Sequence, residues 1–264
     1  MLLFDHTFAI CAYGQSPYLC ECIESVLNQR GPQSEVFIAT STPSEWLDGV
    51  GRRYELPVFS NPGKGGIGPD WNYAYSKAHG RFVTITHQDD LYCDYYAEDA
   101  VEKLSAADNP IMYFCNYGEM RSGVPVDSNL NLRIKRTLLF PLRADKLASS
   151  AFAKRFALAF GNSICCPSVC FNRERLPEPP FRTDMKNALD WDCWERLSRM
   201  SGEFCYSSRI LMYHRIHEDS ATTENILDNV RADEDVEMLR RFWPRPVAAA
   251  INRLYAHSMD SNRV

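Results

Sequence analysis

Short apolar runs alternate with amphipathic helix patterns over the first 115 residues of this 264-residue chain. Strands are predicted by the apolar runs at 8–13, 36–39, 58–59, 81–86 and 111–115. Helices are predicted by the amphipathic patterns at 18–28, 71–79 and 92–104. Strands that alternate with helices form a mainly parallel sheet with helices on both faces, so the order predicts a Rossmann-like α/β fold. Ligands bind such sheets beyond the carboxyl ends of the strands.

The second half of the chain is predicted to be richer in helix. Residues 187–200 and 225–241 have the clearest helical patterns, and a short helix follows the Trp243-Pro244 break. The stretch from 120 to 160 is locally basic. Its cationic residues are Arg133, Lys135, Arg136, Arg143, Lys146, Lys154 and Arg155.

Charge and cysteine usage exclude several classes of protein. A net charge of −5 argues against a nucleic-acid-binding protein, which would carry a basic excess. The ten cysteines lie mostly inside apolar runs, which is typical of buried free thiols in a reducing compartment. We find neither a signal-peptide pattern nor an apolar stretch long enough to span a bilayer. We therefore expect a cytoplasmic protein.

Two adjacent carboxylates, Asp89 and Asp90, follow the predicted strand at 81–86. Neighbouring acids repel each other, and a divalent cation that bridges a diphosphate relieves the repulsion. A solvated turn or a helix N-cap would also explain the pair. A glycine-rich loop, 61–68, comes before a helix that Asp70 is predicted to cap, and it would let the backbone approach a ligand. A plain surface loop is the alternative.

Two further polar groups have a chemical and a structural explanation. Asp190 lies at the start of the helix predicted over 187–200, where it could act as a general base or simply complement the helix dipole. Arg215 and His217 fall on one face of an extended segment. They could neutralise a diphosphate or bind a metal ion, or they could be ordinary polar residues.

Together these motifs resemble the family 2 glycosyltransferases, which have the GT-A fold. The resemblance covers about residues 6–223 and rests on the order of the motifs. The matching motifs are the first strand, Gly63 to Asn72, Gln88-Asp89-Asp90, Leu189-Asp190-Trp191-Asp192 and Arg215-Ile216-His217. Two departures are Leu189, where the family has Glu, and the absence of a carboxylate from 40–44.

The resemblance implies an inverting enzyme that needs Mn²⁺ or Mg²⁺. It would move a sugar from a nucleoside-diphosphate sugar to a saccharide or lipid-linked saccharide acceptor, in polysaccharide or glycolipid synthesis. Asp190 would be the catalytic base, and Asp90 and His217 the metal ligands. Asp89 would contact the ribose or assist the metal. The implied nucleotide-sugar contacts are Ala12, Tyr13, Thr42, Gly65, Asn72, Gln88, Asp89 and Arg215.

The resemblance also implies a division of the chain. Residues 1–223 would form the GT-A domain, with a nucleotide-sugar half at 1–118 and an acceptor half at 119–223, and 224–264 would be a helical extension. The amphipathic tail from 242 to 259 is compatible with peripheral contact with the inner face of the plasma membrane, with packing on the protein's own core, or with a homodimer.

Two other functions remain open from the sequence. A nucleotidyltransferase shares the strand and helix order, but it usually has a glycine-rich, basic loop after the first strand, and 13–17 is neither. A non-catalytic nucleotide-sugar-binding subunit would need Asp89 and Asp90 but not Asp190. Hydrolysis of the donor in the presence of manganese would distinguish an enzyme from a binding module.

Overall fold

The computed structural model describes residues 4–217 and 230–259, and within them the strands form one nine-stranded sheet. The order is β3-β2-β1-β4-β8-β6-β9-β5, with β7 paired to β6. The strands are β1 His6–Ala12, β2 Ser34–Thr40, β3 Val58–Ser60, β4 Phe82–His87, β5 Leu91–Tyr92, β6 Pro110–Arg121, β7 Val124–Val126, β8 Val169–Asn172 and β9 Glu203–Ile216.

The first four neighbours in the sheet, β3, β2, β1 and β4, are parallel, as is the long pair β6 and β9. The strand β8 is antiparallel to both β4 and β6. This arrangement confirms the predicted α/β class with a mostly parallel sheet. The carboxyl ends of β1, β2 and β4 meet at one edge, where Ala12 pairs with Thr40 and Cys11 with His87.

Helices pack on both faces of the sheet, over two buried apolar clusters. There are also two 3₁₀ turns: Phe140–Arg143 follows α5, and Cys166–Ser168 precedes β8. Within the described residues, every helix is too short or too polar to span a bilayer. The helices are α1 Leu19–Leu27, α2 Glu45–Tyr54, α3 Ile67–Lys77, α4 Tyr96–Ala106, α5 Leu130–Leu139, α6 Asp145–Ala148, α7 Ala151–Leu158, α8 Leu189–Ser198, α9 Val230–Leu239 and α10 Arg245–Met259.

Helix α2 is absent from the sequence-based prediction. Gly49 and Gly51 lie in its interior, and glycine weakens a helix by about 1 kcal/mol relative to alanine. Its first turn is held by the Ser44 hydroxyl, which accepts the backbone N–H of Leu47. Gly51 packs so tightly that an added Cβ would lie 2.5 Å from Val58. Packing against β3 therefore outweighs the weak helix propensity.

The structure continues without a break across residue 118. Strand β6 runs through it from Pro110 to Arg121, and β9 pairs with β6 along most of that length. The C-terminal helix α10 packs on the core through Ala248, and the Trp243 indole donates to the carbonyl of Ala159. Residues 218–229, which include the predicted start of the helix over 225–241, lie outside the described residues.

Candidate active site

The adjacent acids that follow β4 have opposite environments. Asp90 is 0% exposed, and its Oδ1 accepts hydrogen bonds from His214 Nδ1 and from the backbone N–H of Arg215, both at 2.9 Å. Its Oδ2 has no hydrogen-bond partner among the described residues and lies 3.7 Å from His87 Nδ1. Asp90 is therefore built into the interior between β4 and β9.

Asp89 instead remains accessible, with 18% of its side chain exposed. Its Oδ2 lies 2.8 Å from His217 Nε2, just beyond the end of β9. Burial alone would raise the pKa of Asp89, but the hydrogen bond from His217 and the charge of nearby histidines hold it below its usual range. Asp89 and His217 thus form a solvent-reachable pair of a carboxylate and an imidazole, the two side chains that most often bind divalent cations at catalytic sites.

Two more histidines, His214 and His87, lie next to Asp90. Burial lowers the pKa of His214, but the charge and hydrogen bond of Asp90 raise it above its ordinary value. Burial lowers the pKa of His87, against the opposing charge of Asp90 and Asp89. The His87 ring stacks on Trp71 of α3, with centroids 4.9 Å apart. The acids are therefore enclosed by aromatic and basic groups from α3, β4 and β9.

Arg215 is engaged beneath the acids and does not face the cleft. Its guanidinium donates to the main-chain oxygen of Asp89 at 2.8 Å and to Glu21 at 2.5 Å, and it stacks over Tyr18 at 4.3 Å from the ring centroid. Only 7% of its side chain is exposed. A contact of Arg215 with a diphosphate stays a prediction, and in this structure its guanidinium holds α1 and the loop after β4 together.

Side-chain to backbone hydrogen bonds tie the end of β1 to the loop after β4 and to the end of β2. The Gln88 amide both accepts from the backbone N–H and donates to the carbonyl of Tyr13, each at 3.0 Å. The Thr42 hydroxyl accepts the N–H of Gly14 at 2.7 Å. Ala12 is buried, whereas Tyr13 is 68% exposed. The Tyr13 ring is thus accessible to a ligand, and Gln88 and Thr42 fix the backbone of Tyr13 and Gly14.

Asp70 organises the glycine-rich loop. Helix α3 begins at Ile67, so Asp70 lies in its first turn and is not the N-cap that the sequence predicted. The Asp70 carboxylate accepts from the Ser41 hydroxyl at 2.7 Å, the Asn61 amide at 2.9 Å and the Gly66 N–H at 3.1 Å. Asp70 of α3 thus places a carboxylate beside Ser41, next to the 40–44 stretch that has none.

Gly65 and Asn72 have structural reasons for their identity. A Cβ added at Gly65 would lie 2.8 Å from the Ser41 hydroxyl, so the loop closes on β2 only with glycine there. The Asn72 amide donates to the carbonyl of Phe181 at 2.8 Å and accepts its N–H at 3.0 Å. The nucleotide contact of Asn72 stays a prediction, and in this structure its side-chain amide bonds to the segment before α8.

Asp190 lies in the first turn of α8. Its Oδ2 accepts from the Asn162 amide at 2.6 Å, and its Oδ1 from the backbone N–H of Trp191 at 2.7 Å. Both donors are N–H groups, which a carboxylate oxygen accepts. Trp191 is buried and its indole donates to the carbonyl of Leu158, which fixes the start of the helix.

The β4 acids and Asp190 belong to one electrostatic neighbourhood. The pKa of His87 is lowered by burial and raised by the charges of Asp90, Asp89 and Asp190. Burial raises the pKa of Cys165, and the charges of Asp90 and Asp190 raise it further. Because such interactions weaken with distance and solvent screening, the carboxylates of Asp90 and Asp190 both lie near His87 and Cys165.

Several groups of this cleft have no role in the sequence analysis. His87 and His214 directly precede the motifs Gln88-Asp89-Asp90 and Arg215-Ile216-His217, and this position was the available signal. Asn162 had no such signal, and although Trp71 lies between Gly63 and Asn72, tertiary packing alone brings it to His87. Within the described residues, no three His, Cys, Asp or Glu side chains gather as a metal-binding group. A cation here would therefore depend on Asp89 and His217 together with oxygens of its substrate.

Comparison with known proteins agrees with this architecture. Residues 7–175 match the model of the family described as glycosyl transferase family 2. No curated protein matches the sequence significantly. Among solved structures, residues 1–349 of TarS from Staphylococcus aureus are 16% identical, with 97% of this chain and 72% of that chain covered and a TM-score of 0.58.

Two other structures contain bound donors and metal. The mannosyltransferase PcManGT from Pyrobaculum calidifontis, in complex with GDP-Man and Mn²⁺, is 19% identical over 98% of this chain and 71% of that one, with a TM-score of 0.65. Glucosyl-3-phosphoglycerate synthase from Mycobacterium tuberculosis, in complex with Mn²⁺ and UDP-glucose, is 14% identical over 90% and 79%, with a TM-score of 0.59. At such identities the likeness shows the fold. Because the family model covers more than half of its length, this chain belongs to glycosyl transferase family 2.

Proposed function

We propose that this protein is a metal-dependent, inverting glycosyltransferase that moves a sugar from a nucleoside-diphosphate sugar to an acceptor hydroxyl. The observation that carries the proposal is the accessible pair of Asp89 and His217, 2.8 Å apart, just beyond the ends of β4 and β9. The solved structures of similar fold that hold GDP-Man or UDP-glucose with Mn²⁺ support it.

The metal role belongs to Asp89 in this proposal, in place of the Asp90 expected from the sequence. Asp90 is fully buried and bound to His214 and to the backbone, so it positions the loop. Adjacent ligands of an octahedral cation with bonds of about 2.1 Å are about 3 Å apart, close to the observed spacing of Asp89 and His217. Bound there, Mn²⁺ or Mg²⁺ would neutralise the diphosphate that leaves.

The donor would lie across the carboxyl ends of β1 and β4. The Tyr13 ring offers an apolar surface for a nucleobase, and the loop from Asn61 to Gly68 brings backbone close to the ligand. Asp70 holds that loop through three hydrogen bonds, so it is shaped before the donor binds. A site that is ordered in advance loses less entropy on binding.

Asp190 would act as the base. The acceptor hydroxyl loses its proton to Asp190 while its oxygen forms the new bond to the anomeric carbon. The bond from that carbon to the diphosphate oxygen breaks on the opposite face, and the electron pair leaves with the nucleoside diphosphate. The Asn162 amide, 2.6 Å from Asp190 Oδ2, fixes the direction of the carboxylate. Inversion follows from this single displacement.

The finer assignments are also proposals. We infer a hexose donor, manganese as the preferred ion, and an acceptor that is a saccharide or a lipid-linked saccharide of cytoplasmic polysaccharide synthesis. They are supported by membership of the family and by the sugars bound in PcManGT and in the synthase from M. tuberculosis.

A thermal-shift screen of nucleotide sugars tests the proposal, because a ligand that binds the native state raises its melting temperature. UDP-, GDP-, CMP- and dTDP-sugars are compared with Mn²⁺ and with a chelator. We expect one nucleotide class to stabilise the protein only with Mn²⁺, and its sugar to be released slowly by hydrolysis. Stabilisation without any release of sugar by wild type would favour a non-catalytic binding subunit. Release of pyrophosphate from a nucleoside triphosphate and a sugar phosphate would favour a nucleotidyltransferase.

A further inference from the structure

The segment from Leu130 to Phe156 comprises α5, the 3₁₀ turn Phe140–Arg143, α6 and most of α7, and these elements pack on one another. We call it the α5–α7 segment. The apolar side chains that it buries are all aliphatic. They are Leu132, Leu139, Leu142, Ala148 and Ala153.

Other apolar side chains of the same segment, including all three of its phenylalanines, face solvent. Leu130 is 73% exposed, Phe140 62% and Phe152 80%, and Ile134, Leu147 and Phe156 are exposed as well. Six of the eleven exposed large apolar side chains among the described residues lie here. Single exposed apolar residues are ordinary, but a cluster of them marks a surface with a partner.

Helix α7 shows this inversion most clearly. It buries Ala153 and Ala157 against the core while Phe152 and Phe156 lie outside. The two outer rings stack, with centroids 6.4 Å apart. A helix that served the core alone would bury its phenylalanines, since each contributes about 2–3 kcal/mol when buried. Phe156 contacts the Phe160 ring at a centroid distance of 5.7 Å, but Phe152 on the same outer face of α7 remains 80% exposed.

Charge identifies the kind of partner. The α5–α7 segment has seven Lys and Arg residues and one acid, Asp145, in a chain whose net charge is −5. Four of them are used inside the protein: Lys135 and Arg136 bond to Tyr117, Lys154 to Met200 and Gly202, and Arg155 to Glu195. The exposed cations that remain beside the apolar residues are Arg133, Arg143 and Lys146.

We propose that the α5–α7 segment docks the protein on an anionic lipid bilayer. Aromatic and aliphatic side chains interleaved with Lys and Arg are what an interfacial membrane-binding surface presents. A negatively charged leaflet attracts the exposed cations, at about 1 kcal/mol each, and repels the rest of this acidic chain, which orients the molecule. A second copy is the poorer occupant, because two such surfaces face to face would bring like charges together.

This docking would bring the bilayer to the acceptor side of the cleft. Helix α7 packs against α8, which carries Asp190, and Asn162 follows α7 by a few residues. A lipid-linked acceptor would then reach the cleft without leaving the membrane. The proposal goes beyond the proposed function and is independent of it, because no residue of the cleft takes part in docking.

Flotation of the full chain with vesicles tests the proposal. Vesicles of phosphatidylcholine alone are compared with vesicles that also contain phosphatidylglycerol, without donor or metal. We expect binding to the anionic vesicles only, and a decrease with added salt. The triple variant Arg133→Gln, Arg143→Gln, Lys146→Gln should lower the partition coefficient about a hundredfold. The double variant Phe140→Ser, Phe152→Ser should lower it about tenfold.

Matched variants elsewhere on the surface provide the control. Arg52→Gln, Arg53→Gln, Lys103→Gln removes as much charge, and Leu27→Ser, Val124→Ser removes exposed apolar groups. Both should bind like wild type, and all variants should melt near the wild-type temperature because the sites are exposed. Absence of wild-type binding to anionic vesicles would overturn the proposal, as would equal binding by the triple variant. A concentration-dependent dimer that the Phe variants abolish, without vesicle binding, would assign the surface to a second copy.

Discussion

The two acidic regions of the cleft are held in opposite ways. The acids after β4 are surrounded by the cationic or protonatable groups His87, His214, Arg215 and His217. Asp190 at the start of α8 is held by hydrogen bonds from a neutral amide and a backbone N–H. Positive partners stabilise a carboxylate against protonation, which suits a ligand for a cation. Hydrogen bonds from an amide and a backbone N–H orient a carboxylate, which suits a base.

The comparison extends to the two neighbours Asp89 and Asp90. The Asp89 side chain faces the cleft and is hydrogen-bonded to the His217 imidazole, whereas the Asp90 side chain is buried between strands. A substrate-binding role and a folding role are thus assigned to consecutive residues. The following variants test whether these roles are separate, in order of decreasing expected effect on turnover or stability.

Asp190→Asn should have the largest effect, since it removes the base while keeping the shape of the side chain. We expect turnover to fall by about 10³-fold, within the range for loss of a general base, with donor affinity unchanged. Steady-state rates and donor titrations measure the two quantities. Asp184→Asn, an exposed acid shortly before α8, is the matched control and should be fully active. An equal loss of donor affinity in Asp190→Asn would contradict the division between the two regions.

Asp90→Asn should lower the free energy of unfolding by about 3 kcal/mol, because it leaves His214 without a charged partner in the interior. Asp89→Asn should cost less than about 1 kcal/mol, because its pair with His217 is partly exposed. Urea denaturation of the two variants measures the difference. Equal destabilisation would show that the two acids share one structural role.

His6 provides a buried histidine without a carboxylate, in contrast to His214. Its ring bonds to the Ser34 and Thr84 hydroxyls, and burial lowers its pKa to about 3. Below pH 6.5 the unfolded state therefore binds a proton that the folded state refuses, so stability is lost as the pH falls toward 3. The loss at pH 5 should be about 2 kcal/mol relative to neutral pH.

Urea denaturation at pH 7 and pH 5 measures that loss, with His6→Gln as the comparison. The glutamine can still bond to Ser34 and Thr84 but does not titrate. The difference between the two pH values should shrink by about 2 kcal/mol in the variant. An unchanged difference would mean that other groups cause the acid sensitivity.

Asn162→Ala should have the smallest effect of this series. It removes the amide that orients Asp190 and leaves the base in place, so we expect about a tenfold loss of turnover with the donor affinity unchanged. Asn162→Gln offers the same amide on a longer side chain and should restore part of the rate. Full activity of Asn162→Ala would show that Trp191 and the helix suffice to position the base.

Much of the fold was predictable because it depends on local pattern. The apolar runs of β1, β2 and β4 are long enough to indicate strands, and the acids after β4 stand where parallel sheets bind ligands. Helix α2 was not predictable in this way, since Gly49 and Gly51 obscure its pattern and packing on β3 decides it. Phe140 and Phe152 are exposed, so a prediction that assumes buried aromatic side chains places them wrongly in the core.

The roles of neighbouring residues were the least predictable part of the site. Nothing local distinguishes Asp89 from Asp90, because the partner that buries Asp90 is His214, 124 residues later on β9. Arg215 and Asn72 looked free in the sequence and are occupied in the fold, by Glu21 and by the backbone of Phe181. Such long-range hydrogen bonds are set by the sheet order, which the sequence did not determine.

The binding of UDP and GDP, measured calorimetrically with Mn²⁺ and with a chelator, tests the central claim most directly. Wild type should bind one of them about a hundredfold more tightly with Mn²⁺. Asp89→Asn should lose that gain, whereas Asp190→Asn should keep it. Equal affinity of wild type with and without Mn²⁺, or a full gain in Asp89→Asn, would contradict the account.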